Sequence, residues 1–214
     1  MIINNKTALY LSCSSAPGNF GASLYNHFFN KYNINAIYLP RYSSSPKEII
    51  NSLKSLNCLG CSISMPLKSS IITFLDDLSD EAKESNSVNT ITNSNGIFKG
   101  HNTDIFGAIM ALRDFKFNGN VLVYGSGSVV SSIILALKKM GIIKISIISR
   151  NAEKGEQISK SYNVNYLKSF DSLSQSYDLF INATPTKLNS NLKKIIDHSC
   201  KVFDLVVAPN DTEI

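Results

Sequence analysis

Three polar side chains in the first half of the sequence have the types that ketone reduction requires. Lys68 follows a short apolar segment, Asn89 lies within Ser87-Val-Asn-Thr, and Asp104 ends the segment Asn102-Thr-Asp. A ketone that accepts hydride at its carbon needs a proton donor at its oxygen, and an amine near a carboxylate can serve as that donor. Taken singly, the lysine could be solvated and the Asn-Thr-Asp segment could cap a helix. The chemistry therefore depends on a fold that brings the three together.

A glycine-rich loop in the second half has the sequence context of a dinucleotide-binding site. Gly125-Ser-Gly127 follows an apolar strand predicted at 121–124 and opens a helix predicted at 129–140. Gly125 permits a tight turn, and Gly127 lets a pyrophosphate approach the backbone at the helix N-terminus. Val130 stands where glycine or alanine usually lets helix and strand pack closely. The loop favours a dinucleotide, although a tight turn without a ligand has a similar sequence.

The residues after the next predicted strand indicate which dinucleotide is preferred. An NAD site usually has an acidic residue there, which binds the ribose hydroxyls. Here the strand ends at Ile148 and is followed by Ser149 and Arg150, with Lys154 one helical turn later. An arginine can bind a 2′-phosphate through two parallel hydrogen bonds, and the lysine adds charge. The spacing predicts NADP, whereas the alternative is that both cations are ordinary solvated residues at a helix start.

Strand-like and helix-like segments alternate along the chain and predict an α/β fold. In the second half, continuous apolar strands alternate with helices, which is typical of a doubly wound parallel sheet covered on both faces. In the first half we predict strands at 8–12, 36–39 and 61–65, with Pro40 ending the second of them, and a hairpin turning at Asn95-Gly96. Ser45-Pro46 predicts a helix start. The boundary between the halves is predicted near residue 104, with a helix over 105–115 joining them.

The composition excludes several classes of protein. The chain has 214 residues, 43% of them hydrophobic, without a run of about 20 apolar residues that could span a bilayer. Its N-terminus lacks the pattern of a secretory signal, so we expect a cytoplasmic protein. The net charge of +5 comes from scattered lysines, which predicts no nucleic-acid surface but helps attract an anionic ligand.

The cysteine spacing predicts structural thiols and no metal site. Cys58 and Cys61 form a C-x-x-C pair, but Cys13 and Cys200 do not supply the second pair that zinc would require. A redox dithiol would normally open a helix, whereas this pair leads into an apolar-alternating strand. We therefore predict reduced, buried thiols.

Several short motifs, taken in order, resemble the shikimate dehydrogenase family. They are Ser64-x-Pro-x-Lys68, Ser87-Val-Asn-Thr90, Asn102-Thr-Asp104, the glycine-rich loop, Ser149-Arg150, Ile181-Asn-Ala-Thr-Pro185 and Asp204-Leu-Val. Each motif alone is weakly diagnostic, but the ordered set, running from about residue 8 to the C-terminus, is specific. The resemblance implies a substrate-binding and catalytic α/β domain over residues 1–103, a Rossmann-type NADP domain over 104–214, and a cleft between them.

The resemblance also implies an activity and the residues that carry it. The activity is NADP-dependent interconversion of a cyclic hydroxy acid, shikimate, and its ketone, 3-dehydroshikimate, by a monomer or homodimer. Lys68 is then the acid–base residue and Asp104 its partner. The implied substrate-binding residues are Asn19, Gly21, Ser64, Asn89 and Asp104. The implied cofactor-binding residues are Gly125, Ser126, Gly127, Ser128, Val129, Ser149, Arg150, Asn151, Lys154 and Thr184, the last of them near the nicotinamide.

The sequence departs from the family pattern at two places that affect the substrate. The family usually carries Ser-x-Ser-Pro before its first helix to bind the substrate carboxylate, and here that stretch is Asn19-Phe-Gly-Ala22. Val207 stands where a tyrosine is usual. The Asn-Phe-Gly form is similar to a shikimate-dehydrogenase-like branch. Quinate or another ring hydroxy acid is therefore an alternative substrate.

The family normally continues for several tens of residues beyond the position of Ile214. That segment supplies a glutamine to the substrate site and helices that cover the N-terminal domain. From this departure we expect a chain that is marginally stable, self-associating or mobile at the cleft, with low turnover. A truncated homologue that binds NADP without catalysis is the alternative to an enzyme.

Overall fold

The computed structural model describes residues 3–116, 119–169, 176–186 and 201–206. The chain separates into two compact units, Met1–Thr103 and Asp104–Ile214. Within the described ranges, no helix is long and apolar enough to cross a membrane. Val207, which the sequence analysis singled out, lies outside the described residues.

The first unit alternates strands and helices before ending in a hairpin. Its elements are β1 (Ala8–Ser14), α1 (Phe20–Lys31), β2 (Ala36–Tyr42), α2 (Pro46–Ser55), β3 (Gly60–Ile63), a 3₁₀ turn (Ile72–Phe74), β4 (Asp77–Leu78), α3 (Asp80–Ser85), β5 (Thr90–Ser94) and β6 (Ile97–His101). The strands form one sheet in the order β2-β1-β3-β5-β6-β4. β1 pairs in parallel with β2 and β3, whereas β5 is antiparallel to β3 and β6. This sheet is mixed.

Local sequence signals account for two features of the first unit. The hydroxyl of Ser45 caps α2 by accepting from the backbone N–H of Glu48 at 3.4 Å, and Pro46 occupies the first helical turn. Asn95 and Gly96 both have positive φ, as the tight turn between β5 and β6 requires. The helix start and the hairpin turn are both found where the sequence predicts them.

The prediction that Pro40 ends the second strand is wrong, because β2 continues to Tyr42. β2 is an edge strand, and its Tyr38 binds the side chain of Asn26 through both backbone groups, at 2.8 Å each. Tyr38 therefore points its N–H and C=O away from β1. Backbone groups two residues apart in a strand point to the same side, so the nitrogen of Pro40 also faces outward. The missing N–H of Pro40 costs no bond to β1.

The second unit is a parallel sheet of the doubly wound type. Its described elements are α4 (Asp104–Leu112), β7 (Asn120–Tyr124), α5 (Ser128–Lys139), β8 (Lys144–Ile148), α6 (Ala152–Tyr162), β9 (Asn165–Leu167), β10 (Leu179–Asn182) and β11 (Lys201–Asp204). The strand order is β11-β10-β7-β8-β9, and every neighbouring pair is parallel. The chain moves from β7 through β8 to β9 and then returns to the other side of β7. This reversal between β7 and β10 is a topological switch point.

Each sheet has its own apolar core. In the first unit, the buried side chains of β1, β3 and β5 pack with α2, and Leu53 and Ile91 are almost completely buried. In the second, α4 and α5 pack their apolar faces on one face of the sheet around Val121, Val123 and Ile134. Because β7 is buried on both faces, it is apolar from Val121 to Tyr124, as the sequence predicts for a central parallel strand.

Candidate active site

The segment after β3 carries Ser64 and Lys68, and backbone hydrogen bonds attach it to its neighbours. The carbonyl of Lys68 accepts from the N–H of Val88 at 2.8 Å, and the carbonyl of Asn89 accepts from the N–H of Ile63 at 2.8 Å. Ser64 is exposed, and Lys68 is half-buried. The structure therefore brings the Lys68 segment and the Asn89 segment side by side at the carboxyl end of β3.

Asn89 binds the residue that precedes Asp104. Its Nδ2 donates to Oγ1 of Thr103 at 2.9 Å, and its Oδ1 accepts from the backbone N–H of Thr103 at 3.1 Å. Oδ1 also accepts from the hydroxyl of Thr90 at 2.9 Å. Asp104 follows Thr103 directly and is the first residue of α4. Asn89 thus holds the chain just before Asp104, while the pairing of Lys68 with Asp104 stays a prediction.

Asn19 and Gly21 lie at the start of α1. Asn19 occupies the N-cap position, but its side chain makes no capping hydrogen bond. A Cβ atom at Gly21 would lie 3.4 Å from Cε1 and 3.5 Å from the hydroxyl of Tyr38, so the backbone of Gly21 rests on that phenol. The start of α1 is therefore positioned over a buried tyrosine of the neighbouring strand.

Three thiols of the first unit are buried and not in disulfides: Cys13, Cys58 and Cys61. Burial raises the pKa of Cys58 to about 11, and a hydrogen bond to Cys13, together with burial, raises the pKa of Cys61 well above its usual value. Cys58 and Cys61 are therefore protonated at neutral pH. Within the described ranges no cluster of three or more His, Cys, Asp or Glu side chains could hold a metal ion. Cys200 lies outside the described residues.

The glycine-rich loop connects β7 to α5 at the switch point. Gly125 has a φ of +139°, and a Cβ there would lie 2.9 Å from the carbonyl oxygen of Ala183, which follows β10. Gly127 occupies the N-cap position of α5, where no side chain caps the helix. A Cβ atom built at Gly127 would have no atom within 4 Å. The first turn of α5, which begins at Ser128, contains no acidic residue. The uncapped amides at this helix start can bind an anionic group.

The third glycine position of the loop is filled by a buried side chain. Val130 is fully buried, and its Cγ2 lies 3.3 Å from the position of a Cβ at Gly125. Its N–H donates to the carbonyl of Gly127 at 3.0 Å. The valine therefore packs beneath the loop and restricts Gly125 further.

The residues after β8 form a fixed turn into α6. The hydroxyl of Ser149 donates to the carbonyl of Asn151 at 2.8 Å, and Oδ1 of Asn151 caps α6 by accepting from the N–H of Lys154 at 3.0 Å. Arg150 lies between these two anchors and is exposed, as is Lys154. A Cβ at Gly155 would come within 2.5 Å of Ser149, so this glycine is required for the close packing of α6 on the turn. Arg150 and Lys154 thus extend from a rigid backbone.

Thr184 belongs to a hydrogen-bond network at the carboxyl ends of β10 and β11. Its hydroxyl donates to Oδ1 of Asn182 at 2.8 Å, and its N–H donates to the same oxygen at 3.2 Å. Nδ2 of Asn182 donates to Oδ1 of Asp204 at 3.1 Å. Because Ala183 lies against Gly125, this network holds Thr184 beside the glycine-rich loop.

Sequence reasoning did not identify several residues that build these sites. Thr103, Asn182 and Asp204 stand out in the sequence only as parts of short motifs. Tyr38 had no motif at all. Their roles depend on partners that are distant in sequence, such as Asn89 for Thr103 and Gly21 for Tyr38. An alternating pattern places Tyr38 in a strand but does not reveal what its hydroxyl contacts.

Two family models match the chain. One is described as the shikimate dehydrogenase substrate binding domain and matches residues 20–91. The other is described as shikimate / quinate 5-dehydrogenase and matches residues 110–207. The two matches fall on either side of the division between the structural units.

Curated relatives and solved structures extend the match over nearly the whole chain. A shikimate dehydrogenase-like protein of Haemophilus influenzae is 31% identical over 221 residues, which cover 99% of this chain and 81% of the relative. The NADP(+) shikimate dehydrogenase of Pyrococcus furiosus is 31% identical over 99% of this chain and 80% of the relative. A solved shikimate 5-dehydrogenase-like protein superimposes with a TM-score of 0.86 at 31% identity, over 99% of this chain and 81% of that one. These matches confirm the predicted fold class, and the chain belongs to the shikimate dehydrogenase family of oxidoreductases.

Proposed function

We propose that this chain uses NADP to interconvert a cyclic hydroxy acid, shikimate, and its ketone, 3-dehydroshikimate. Residues 1–103 bind the substrate and residues 104–214 bind the cofactor. The observation that carries the proposal is the joining of the Lys68 and Asn89 segments by backbone hydrogen bonds, with Asn89 bound in turn to Thr103. These bonds join the backbone segments that carry Lys68 and Asn89 at the carboxyl end of β3, which supports a shared role in recognition and protonation of a ring ketone.

Both the backbone and the charged side chains of the second unit are suited to binding NADP. The open space at Gly127 leaves room for a pyrophosphate at the start of α5, and Gly125 allows the tight turn that precedes it. The exposed cations Arg150 and Lys154 follow the next strand, where a 2′-phosphate lies in sites of this type. Thr184 would lie near the nicotinamide, because it follows the strand on the other side of the switch point.

NADPH, which would be held by the glycine-rich loop with Arg150 and Lys154, would supply the hydride that the carbonyl carbon of the ketone accepts. Lys68 donates a proton to the carbonyl oxygen, which becomes the hydroxyl of the product. Asp104 accepts a hydrogen bond from the substrate and keeps the ammonium group of Lys68 in position. Asn89 and Ser64 bind ring hydroxyls, and the start of α1 at Asn19 and Gly21 binds the carboxylate end. In the oxidative direction Lys68 takes the hydroxyl proton back.

A dehydrogenase assay with shikimate and quinate, each with NADP and NAD, tests the proposal. We expect turnover with NADP to exceed turnover with NAD for the preferred acid. Quinate is included because Asn19 and Gly21 do not supply the two serine hydroxyls that usually bind the carboxylate. Tight binding of NADPH without turnover of either acid would contradict the proposal and favour a binding protein without catalysis.

Removal of the Arg150 side chain is expected to weaken NADP binding selectively. Charge-assisted hydrogen bonds contribute about 1.5–3 kcal/mol, so Arg150→Ala should raise the Kd for NADP roughly tenfold or more. The Kd for NAD, which lacks the 2′-phosphate, should stay nearly unchanged. Titration calorimetry with both cofactors measures the two constants.

Arg113→Ala is the matched control, because Arg113 is an exposed arginine of the same unit that contacts Asp114. It makes the same change in net charge at another place on the surface. Both cofactors should bind this variant as they bind the unchanged chain. If Arg150→Ala weakens NADP and NAD equally, Arg150 does not recognise the phosphate.

A further inference from the structure

A cavity of about 500 Å³ lies at the amino ends of the strands of the second sheet. Asn120, which lines it, begins β7, whereas the glycine-rich loop follows Tyr124 at the other end of the same strand. Four steps along an extended strand span roughly 13 Å, so the cavity is well separated from the proposed cofactor site. Cavities of this volume bind small organic molecules.

Four polar side chains belong to the face of the sheet that borders the cavity. Asn120 is in register with Lys144 across β7 and β8, and Ser146 is in register with Asn165 across β8 and β9. Lys144 and Ser146 are two residues apart in one strand, so they point to the same face. All four residues line the cavity. Three neighbouring strands therefore begin with polar groups at the cavity.

The same face of the sheet becomes apolar further along the strands. Leu122, Tyr124 and Ile148 continue it and belong to a buried apolar cluster. The polar groups are thus concentrated where the cavity lies. Nδ2 of Asn165 donates to Oγ of Ser146 at 3.2 Å, a bond that uses neither the O–H of the serine nor the carbonyl oxygen of the asparagine.

Tyr177 forms another part of the cavity wall, and its hydroxyl is buried without a hydrogen-bond partner among the described residues. The next residue, Asp178, donates its N–H to the carbonyl of Asn120 at 2.9 Å, which fixes the backbone beside β7. An unpaired buried hydroxyl is unfavourable, and native proteins usually satisfy such groups. A ligand in the cavity can supply the missing partner after a small movement of the phenol ring.

The charge of the wall favours an anion. Among the described residues that line the cavity, Lys144 is positively charged and none is acidic. Asp178 is not part of the wall, and its Oδ2 accepts from the N–H of Asn120 at 3.1 Å. Ile143 and Val164 add apolar surface to the same wall. The cavity therefore suits a molecule with one acidic group and one apolar part.

We propose that this cavity binds a small organic anion, a carboxylate or a phosphate monoester. The acidic group contacts Lys144 and Tyr177, and the apolar part lies against Ile143 and Val164. The site shares no residue with the substrate and cofactor sites proposed above. The inference therefore does not depend on the proposed function.

The test titrates the chain, in excess NADP, with benzoate, phenyl phosphate and neutral benzamide. The excess NADP keeps the anions out of the proposed cofactor site. Backbone amide NMR signals of residues 144–146 and 163–165 should shift and reach saturation with at least one of the two anions. That anion should bind about three- to tenfold more tightly than benzamide, and the comparison of benzoate with phenyl phosphate identifies the preferred acidic group.

Two variants test the contacts that the proposal names. Lys144→Met should remove most of the preference for the anion over benzamide, whereas Lys83→Met, the same change at an exposed lysine of the first unit, should retain it. Tyr177→Phe should weaken binding of the anion about three- to tenfold. The same variant should leave the midpoint of urea unfolding unchanged or raise it, because the deleted hydroxyl has no partner among the described residues.

Three results would contradict the proposal. Amides of residues 144–146 and 163–165 that do not shift saturably with either anion would overturn it. Equal affinity for benzamide and both anions would show that the cavity does not select an anion. A lower urea midpoint in Tyr177→Phe would show that the hydroxyl stabilises the fold and would remove it from the site. Turnover of a cyclic hydroxy acid enters none of these measurements, so failure of the proposed function is seen separately.

Discussion

Replacing Lys68 with methionine should lower turnover of the cyclic hydroxy acid by roughly 10²–10⁴, the usual range for general acid–base catalysis. Methionine keeps much of the length of the side chain but cannot donate the proton to the carbonyl oxygen. The segment itself should keep its conformation, because Leu67 and Ile71 anchor it in the core and the carbonyl of Lys68 binds the N–H of Val88. Steady-state kinetics and NADPH titration of the same preparation measure both effects.

NADPH should bind Lys68→Met as it binds the unchanged chain, since the proposed cofactor contacts lie in the second unit. Lys83→Met is the matched control, because Lys83 is an exposed lysine of α3 and the change removes the same charge. Its turnover should be unaffected. Near-normal turnover in Lys68→Met would remove Lys68 from the mechanism, whereas equal losses in both variants would point to net charge as the cause.

The second large effect is expected at Gly125, where alanine should destabilise the second unit by roughly 2–4 kcal/mol. The φ of +139° is a conformation that costs a side-chain-bearing residue about 1–3 kcal/mol. The added Cβ would also lie 2.9 Å from the carbonyl oxygen of Ala183, a backbone atom that cannot rotate away. Because the loop must shift to accommodate the methyl group, affinity for NADP should fall as well. Urea unfolding and cofactor titration measure the two quantities.

Gly127→Ala provides the comparison within the same loop. Gly127 has an ordinary φ of −82°, and nothing lies within 4 Å of its Cβ position. The folded chain should therefore keep its stability, while a methyl group in the space meant for the pyrophosphate weakens NADP binding. Equal stability of the two variants would show that the close approach of Gly125 to Ala183 is not a constraint on the fold.

The parts of the fold that the sequence predicts are those whose causes are local. The apolar strand β7, the Gly125-Ser-Gly127 loop and the helix start at Ser45 are each specified within a few residues. The turn at Asn95-Gly96 needs only residues that tolerate positive φ. Most of the proposed cofactor residues follow from such signals, since they lie in the loop or the first helical turn after a recognisable strand, whereas Thr184 follows only from the family resemblance.

The parts that the sequence does not predict depend on distant partners. β4 has two residues, too few for any periodic pattern, and exists because Asp77 and Leu78 pair with Lys99 and Gly100. Gly100 allows this packing, because a Cβ there would lie within 3 Å of Leu75, Val88 and Leu78. Ser12, Ser62 and Thr90 lie in register across β1, β3 and β5, and this alignment likewise depends on strand pairing. Three scattered hydroxyl residues give no sign of alignment until the strands are paired.

The edge strand β2 also affects how separate molecules behave toward one another. An exposed strand edge offers N–H and C=O groups to a strand of another chain and so promotes aggregation. On the outer edge of β2, Asn26 already binds both backbone groups of Tyr38, and Pro40 has no N–H to offer. At the other edge of the sheet, β4 is only two residues long. The first unit therefore resists strand addition at both edges, and concentrated solutions of the folded chain should not form intermolecular sheets through it.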